Sequence, residues 1–269
     1  MDTAKPWIKP LARMGYAARG LVYFIIGLFA ILAAAGAAQE KDSRGALQTL
    51  LEQPFGTVLV AVLILGLVGY VVWRLIQGIM DTDDHGTGAK GMAVRGGLLV
   101  SAFTYATLAL LALDMLGVIP GSGGGSGSSG GSGSLSDFVA GFVGESIVSL
   151  GLAIIFLGVA GAHFWKAFKQ KYAEHFEANE DAMKVIHPVS ITGLAARGFV
   201  FAIIAVLFFY RFLNAGDSGD TPGLKDALEF VQGMPAGQYL LAATGIGLLA
   251  FSAYSFAESR WRRINVEDA

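Results

Sequence analysis

Apolar residues gather into six stretches, at about residues 21–38, 55–79, 98–119, 147–168, 199–213 and 239–257, separated by charged, glycine-rich or proline-bearing segments. Roughly 20 apolar residues carry an α-helix across the hydrocarbon core of a bilayer; the fifth stretch reaches that length when 194–198 is included. In lipid the backbone must satisfy its own hydrogen bonds, so each stretch predicts a transmembrane helix. All seven prolines (Pro6, Pro10, Pro54, Pro120, Pro188, Pro222 and Pro235) fall outside the span interiors, which predicts uninterrupted helices. Residues 1–39 also have the outline of a signal peptide, with a basic start, an apolar core and an alanine-rich end. The same helix type recurs later in the chain, so the first helix is expected to be retained.

The polar positions repeat as well. Gly15-Tyr-Ala-Ala-Arg19-Gly20, Gly91-Met-Ala-Val-Arg95-Gly96 and Gly193-Leu-Ala-Ala-Arg197-Gly198 open the first, third and fifth spans. The second, fourth and sixth spans carry Gly66, Gly69, Trp73 and Gln77, then Gly158, Gly161, Trp165 and Lys169, then Gly247, Ala250, Tyr254 and Glu258. Spacing of i, i+3, i+7, i+11 puts each set on one helical face. Pro54-Phe55-Gly56 and Pro235-Ala236-Gly237 each begin twelve residues before the first glycine of such a face. In the middle copy that loop gives way to a longer one containing a pure Gly/Ser run, 121–134, which has the composition of a flexible coil. The chain thus reads as three two-helix repeats, 1–84, 85–187 and 188–269. All three enter and leave on one side, which predicts parallel repeats about a pseudo-threefold axis along the membrane normal. The fold class is an all-α polytopic membrane protein.

Composition agrees: 54% of residues are hydrophobic and 15% charged, against roughly a quarter charged in soluble domains. There is no cysteine, which excludes disulfides, thiolate metal sites and cysteine nucleophiles. The net charge of −2 gives no reason to expect nucleic acid. Charge distribution says more. With the N-terminus inside, 15 of the 19 lysines and arginines fall on the inner side, so both termini are expected on the cytoplasmic side of the membrane.

Gly15-Tyr-Ala-Ala-Arg19-Gly20-Leu-Val-Tyr23, Gly45-Ala46-Leu47 with Pro54-Phe55-Gly56, and Gly69-Tyr70 with Trp73-Arg74 resemble a bacterial membrane family catalogued as domain of unknown function 1206, with tandem two-helix units. The resemblance is close in the first copy and clear in the third, while the second lacks the Pro-Phe-Gly loop. It implies architecture and no chemistry.

Arg19, Arg95 and Arg197 are the sharpest candidates. One reading makes them headgroup anchors or partners for the C-terminal ends of neighbouring helices. The other is a ring of three guanidiniums about the axis, holding a phosphate, anionic lipid or other anion. The small-residue faces (Gly66, Gly69, Gly158, Gly161, Gly247, Ala250) are read as close helix packing, and Trp73, Trp165 and Tyr254 as interfacial aromatics. His163 alone among the histidines lies within a span, so two-histidine haem ligation is not expected. Asp81, Asp83, Asp84 and His85, and His175, Glu177, Glu180, Asp181 and His187, are read as solvated loops and not metal ligands. Asp114, Glu145 and Arg211 lie near the outer face, where Arg211 could pair with either acid. No catalytic residue, metal or cofactor is expected. The leading expectation is a non-enzymatic accessory or scaffold protein that binds membrane lipid, including anionic lipid, or a membrane-protein partner. The alternative is a small channel or transporter along the axis, selected by the arginine ring.

Overall fold

A computed structural model describes residues 7–118, 145–214 and 222–264; the Gly/Ser run 121–134 lies outside them. Among the described residues the regular structure is helical: α1 (Ile8–Ala34), α2 (Ser43–Leu51), α3 (Gly56–Met80), α4 (Ala89–Met115), α5 (Glu145–Phe168), α6 (Glu180–Leu213), α7 (Leu224–Gln232) and α8 (Gly237–Trp261), with a 3-10 turn at Ala173–His175. Six of them are long and apolar enough to cross a membrane. The helices α1, α4 and α6 begin well before their apolar stretches, so the motif arginines sit inside helices and not at their starts. Pro188 falls within α6, in the polar part ahead of the apolar stretch.

The two short helices are matched amphipathic caps. In α2, Ala46, Leu47 and Leu50 face inward, and in α7, Leu224, Ala227, Leu228 and Val231 do the same. Each is followed by a non-glycine residue in the left-handed region, Phe55 at φ 62 and Ala236 at φ 60, a conformation that costs an L-residue about 1–2 kcal/mol. The next residue must be glycine: a Cβ at Gly56 would lie 2.1 Å from the Leu51 carbonyl oxygen, and one at Gly237 1.9 Å from that of Gln232. The amides of Gly56 and Gly237 close the two turns on Gln53 and Met234, each at 2.8 Å. The equivalence read from the Pro-x-Gly spacing is therefore reproduced in backbone conformation.

The long helices pack side by side in the order α4, α3, α1, α8, α6, α5. At the centre, α1 and α8 cross closely: a Cβ on Gly27 would be 2.9 Å from the Gly245 carbonyl oxygen. At the end of the bundle carrying α2 and α7, one core of buried side chains includes Ala109 and Ala112 of α4, Leu47, Ala153, Phe208 and Leu228. At the opposite end, where α1 begins and α8 finishes, α4 emerges from the core. Residues 92–94, 96, 97, 99 and 100 are all exposed. This end, which carries the motif arginines, is called the basic end.

Candidate functional site: a buried arginine–carboxylate network

The site grows from one unusual placement. Arg19, in the apolar run of α1, is 3% exposed, and Glu258, near the end of α8, is 1% exposed. They form a direct ion pair. A lone buried charge would be several kcal/mol unfavourable, so partners must be supplied, and Arg19 has a full set. Its Nε donates to Ser255 Oγ at 3.0 Å and its Nη1 to the Tyr70 hydroxyl at 2.8 Å. The rings of Tyr16, Tyr70 and Phe251 lie 5.0–5.4 Å from its Cζ, within cation–π range.

From Glu258 the network runs toward the basic end. Arg262 Nη1 donates to the second Glu258 oxygen at 2.6 Å, and Arg262 Nη2 lies 3.4 Å from Asp83. Gln77 donates to the same Asp83 oxygen at 2.8 Å and accepts from Arg74 at 3.1 Å, while Arg74 also donates to Tyr70. Trp73 donates to Tyr16 at 3.0 Å. The first and third copies are thereby joined by ionic contacts where their helices meet. The helical face reading did place Gln77 and Glu258 at equivalent positions. It missed Arg262, Arg74, Tyr70 and Ser255, and it read Asp83 as a solvated loop acid; Asp83 is instead drawn to Arg262 and is only 10% exposed. A glutamate where the other copies have Gln77 and Lys169 is the one signal that could have pointed here.

The three motif arginines end in three environments. Arg19 is in the network. Arg95 donates through Nε to the Gly78 carbonyl at 2.8 Å and through Nη2 to that of Ile79 at 2.7 Å, taking up open carbonyls at the end of α3. Arg197 lies against Tyr23, Phe201 and Phe251 at 4.6–5.1 Å. Arg19 and Arg197 thus share the Phe251 ring, whereas Arg95 is held on α3.

The small-residue faces divide in the same way. A Cβ on Gly15 would lie 2.5 Å from Tyr70, and one on Gly66 2.8 Å from Ala18. In the third copy, Gly193 would meet Phe251 at 2.5 Å and Gly247 would meet Ala196 at 2.2 Å. These are the same four repeat positions. Gly69 packs on Leu11, and Trp73 and Tyr254 are buried. In the middle copy no described atom lies within 4 Å of a built Cβ on Gly158 or Gly161, and Trp165 is 58% exposed. Trp73 and Tyr254, expected as interfacial aromatics, are core side chains; only Trp165 is open to the surroundings.

Beyond the helices, the residues that follow α8 are strapped to the α5–α6 loop. Glu177 N donates to the Trp261 carbonyl at 2.7 Å, Arg263 N donates to that of His175 at 2.8 Å, and Arg263 pairs with Glu177 at 3.0 Å. Burial, reinforced by nearby Arg262, lowers the His175 pKa to about 4. The folded strap therefore holds this imidazole neutral, whereas an unfolded one titrates near 6.5. Stability from this group is complete above about pH 6.5 and is lost as pH falls toward 4, because the unstrapped form binds the extra proton. Hydrogen exchange of the Arg263 amide, corrected for its intrinsic pH dependence, should show protection falling across that window. A His175→Gln variant should show no such fall.

Asp81 accepts from the backbone of His85 and Gly86, shaping a turn. Among the described residues no group of three or more His, Asp or Glu is arranged to hold a metal. Of the two acids expected to pair with Arg211, Asp114 and Glu145, the side chain of Glu145 lies outside those described.

The profile of the family described as Domain of Unknown Function (DUF1206) matches residues 14–81 and 192–262, the first and third copies. The chain is 31% identical to the uncharacterized protein YxxB of Bacillus subtilis (strain 168) over 267 residues, covering 98% of this chain and 94% of that protein. No solved structure matches. With two matched regions that bracket the ionic network and a relative aligned almost end to end, the chain belongs to the DUF1206 family.

Proposed function

We propose that this protein is a non-enzymatic scaffold of the bacterial inner membrane, with both termini cytoplasmic, that engages other membrane components through its middle repeat. The observation that carries this is the open α5 face. Gly158, Gly161 and Trp165 repeat the pattern buried in the other two copies, yet among the described residues nothing packs on the two glycines and Trp165 is exposed. Small residues let a second helix or an acyl chain approach closely in lipid.

A pseudo-threefold arrangement is supported by the order of contacts. The second span of each copy packs on the first span of the next: α3 on α4, α5 on α6, and α8 on α1. Within copies, α1 packs on α3 and α6 on α8. Among the described residues, α4 and α5 make no comparable contact, so the ring opens at that point. The channel reading has less support, since Tyr16, Tyr70, Phe251 and Tyr254 fill the inner half of the bundle and Arg19 is neutralised by Glu258.

The test is mass spectrometry of lipids and proteins retained after mild-detergent purification, with Gly158→Leu and Gly161→Leu variants alongside. A stoichiometric component lost in both variants, at unchanged helicity and thermal stability, is the expected result. Ion passage through the reconstituted wild-type chain, with no such component, would overturn the scaffold reading.

A further inference from the structure

We propose that the gap between α4 and α5 holds one anionic phospholipid, with its phosphate taken by Arg197 and Lys166 and its acyl chains lying on the open faces of the two helices. This rests on the scaffold reading and names one component that the protein engages.

The argument starts from charge. Among the described residues around the network, the cations are Arg19, Arg74, Lys166, Arg197 and Arg262, facing the carboxylates Glu258 and Asp83. Both carboxylates are already engaged, Glu258 by Arg19 and Arg262 and Asp83 by Arg262 and Gln77. Arg197 and Lys166 have only aromatic contacts, Lys166 with the Tyr254 ring at 5.8 Å. Arg197 Nε is buried without a hydrogen-bond partner. Among the described residues its Nη groups and Lys166 Nζ have no hydrogen bond, and neither residue is fully buried.

Depth sets what can reach the excess charge. Arg197 is sixteen residues from the end of α6 at Leu213, about 24 Å at ~1.5 Å per residue. Against a hydrocarbon core of about 30 Å, that places it just beneath the headgroups at the basic end, within reach of a lipid phosphate.

Position supplies the counter-ion. A Cβ on Gly198 would lie 3.3 Å from both the Ala160 carbonyl oxygen and His163 Cβ, so α5 and α6 touch there. Arg197 and Lys166 both lie on the basic-end side of that contact, within about one ~5.4 Å helical turn in depth, and both charges act on His163. From α6, Arg197 projects toward Tyr23 and Phe251, near enough to Tyr105 of α4 for its charge to act there. On α4 and α5, Gly96, Gly97, Gly158 and Gly161 have no described atom within 4 Å of a built Cβ. A lipid in the adjoining leaflet brings both a phosphate at this depth and chains to cover those faces. A soluble phosphate would leave the faces bare.

The experiment uses the full chain in mild detergent, offered phosphatidylglycerol or phosphatidylcholine, with retention read by native mass spectrometry. Expected is one phosphatidylglycerol retained about tenfold or more over phosphatidylcholine, a preference worth one decade in affinity. Arg197→Gln and Lys166→Gln should each remove most of it, Arg197→Lys should keep it, and Arg95→Gln should leave it unchanged. Equal retention of the two lipids would overturn the proposal, as would a preference unaffected by either glutamine variant. Displacement by inorganic phosphate alone would make this a free-anion site and would also refute it, as would a protein segment occupying the gap in place of lipid. Loss of the lipid preference leaves the scaffold reading standing if another component still depends on Gly158 and Gly161, whereas ion passage with no such component defeats that reading whatever the lipid result.

Discussion

Replacing Glu258 with glutamine is expected to destabilise the protein by about 3–5 kcal/mol, the usual result of removing one partner from a buried ion pair. The reason is the burial of what is left behind. Arg19 keeps Ser255 and Tyr70 as acceptors but loses its only countercharge, and Arg262 loses its nearer carboxylate and retains Asp83 at 3.4 Å. Neither guanidinium can shed its proton, because arginine stays charged in proteins. With folded domains stable by only about 5–15 kcal/mol, the variant should show a large fall in detergent melting temperature and in yield. Pairing Glu258→Gln with Arg19→Met should recover part of the loss, since the double variant buries one cation fewer. A melting temperature no lower than that of Lys169→Gln, at the matching position of the middle copy, would mean that the network does not hold the first and third copies together.

A β-branched residue at Gly15 or Gly193 is expected to be nearly as damaging. At both positions the added Cβ meets another helix's backbone at about the same separation, 2.6 Å from Tyr70 Cα and 2.5 Å from Phe251 Cα. Overpacking usually costs about 1–3 kcal/mol, and here the obstacle is main chain, which yields only if whole helices part. Gly193→Val should therefore lie at or beyond the upper end of that range. It should also loosen Arg19, which stacks on Phe251 and Tyr70. The control is internal to the repeat: Gly158→Val and Gly96→Ala enter open space, and Gly96→Ala should be neutral or stabilising by up to about 1 kcal/mol through helix propensity. Equal melting temperatures for Gly193→Val and Gly158→Val would refute the difference between closed and open copies.

Much of the architecture was legible because it rests on local periodicity. Span length follows from bilayer thickness, and the Pro-x-Gly turns follow from a glycine placed where no Cβ fits. The equivalence of Gly15 with Gly193 and of Gly66 with Gly247 was likewise readable, since repeated positions on repeated helices meet repeated neighbours. The site was far less legible. Three arginines in one motif predict three equal roles, and a ring is the natural inference. Their roles differ because a guanidinium's partners lie on other helices: Glu258 for Arg19, the end of α3 for Arg95, and aromatic rings for Arg197. Asp83 was misread for the same reason. An acid in a loop is solvated until Arg262, 179 residues away, is folded against it.

By itself, then, the sequence determined the six long apolar helices, the correspondence of the two Pro-x-Gly turns and the family. Each of these depends on hydrogen bonds or steric limits within a few residues of chain, or on recurrence along it. Only the tertiary structure decided that two copies close on themselves while the middle one opens, and that the buried charge of Arg19 is balanced from α8. Those outcomes depend on which helix faces come within contact distance, because hydrogen-bond and packing energies fall away within a few ångströms.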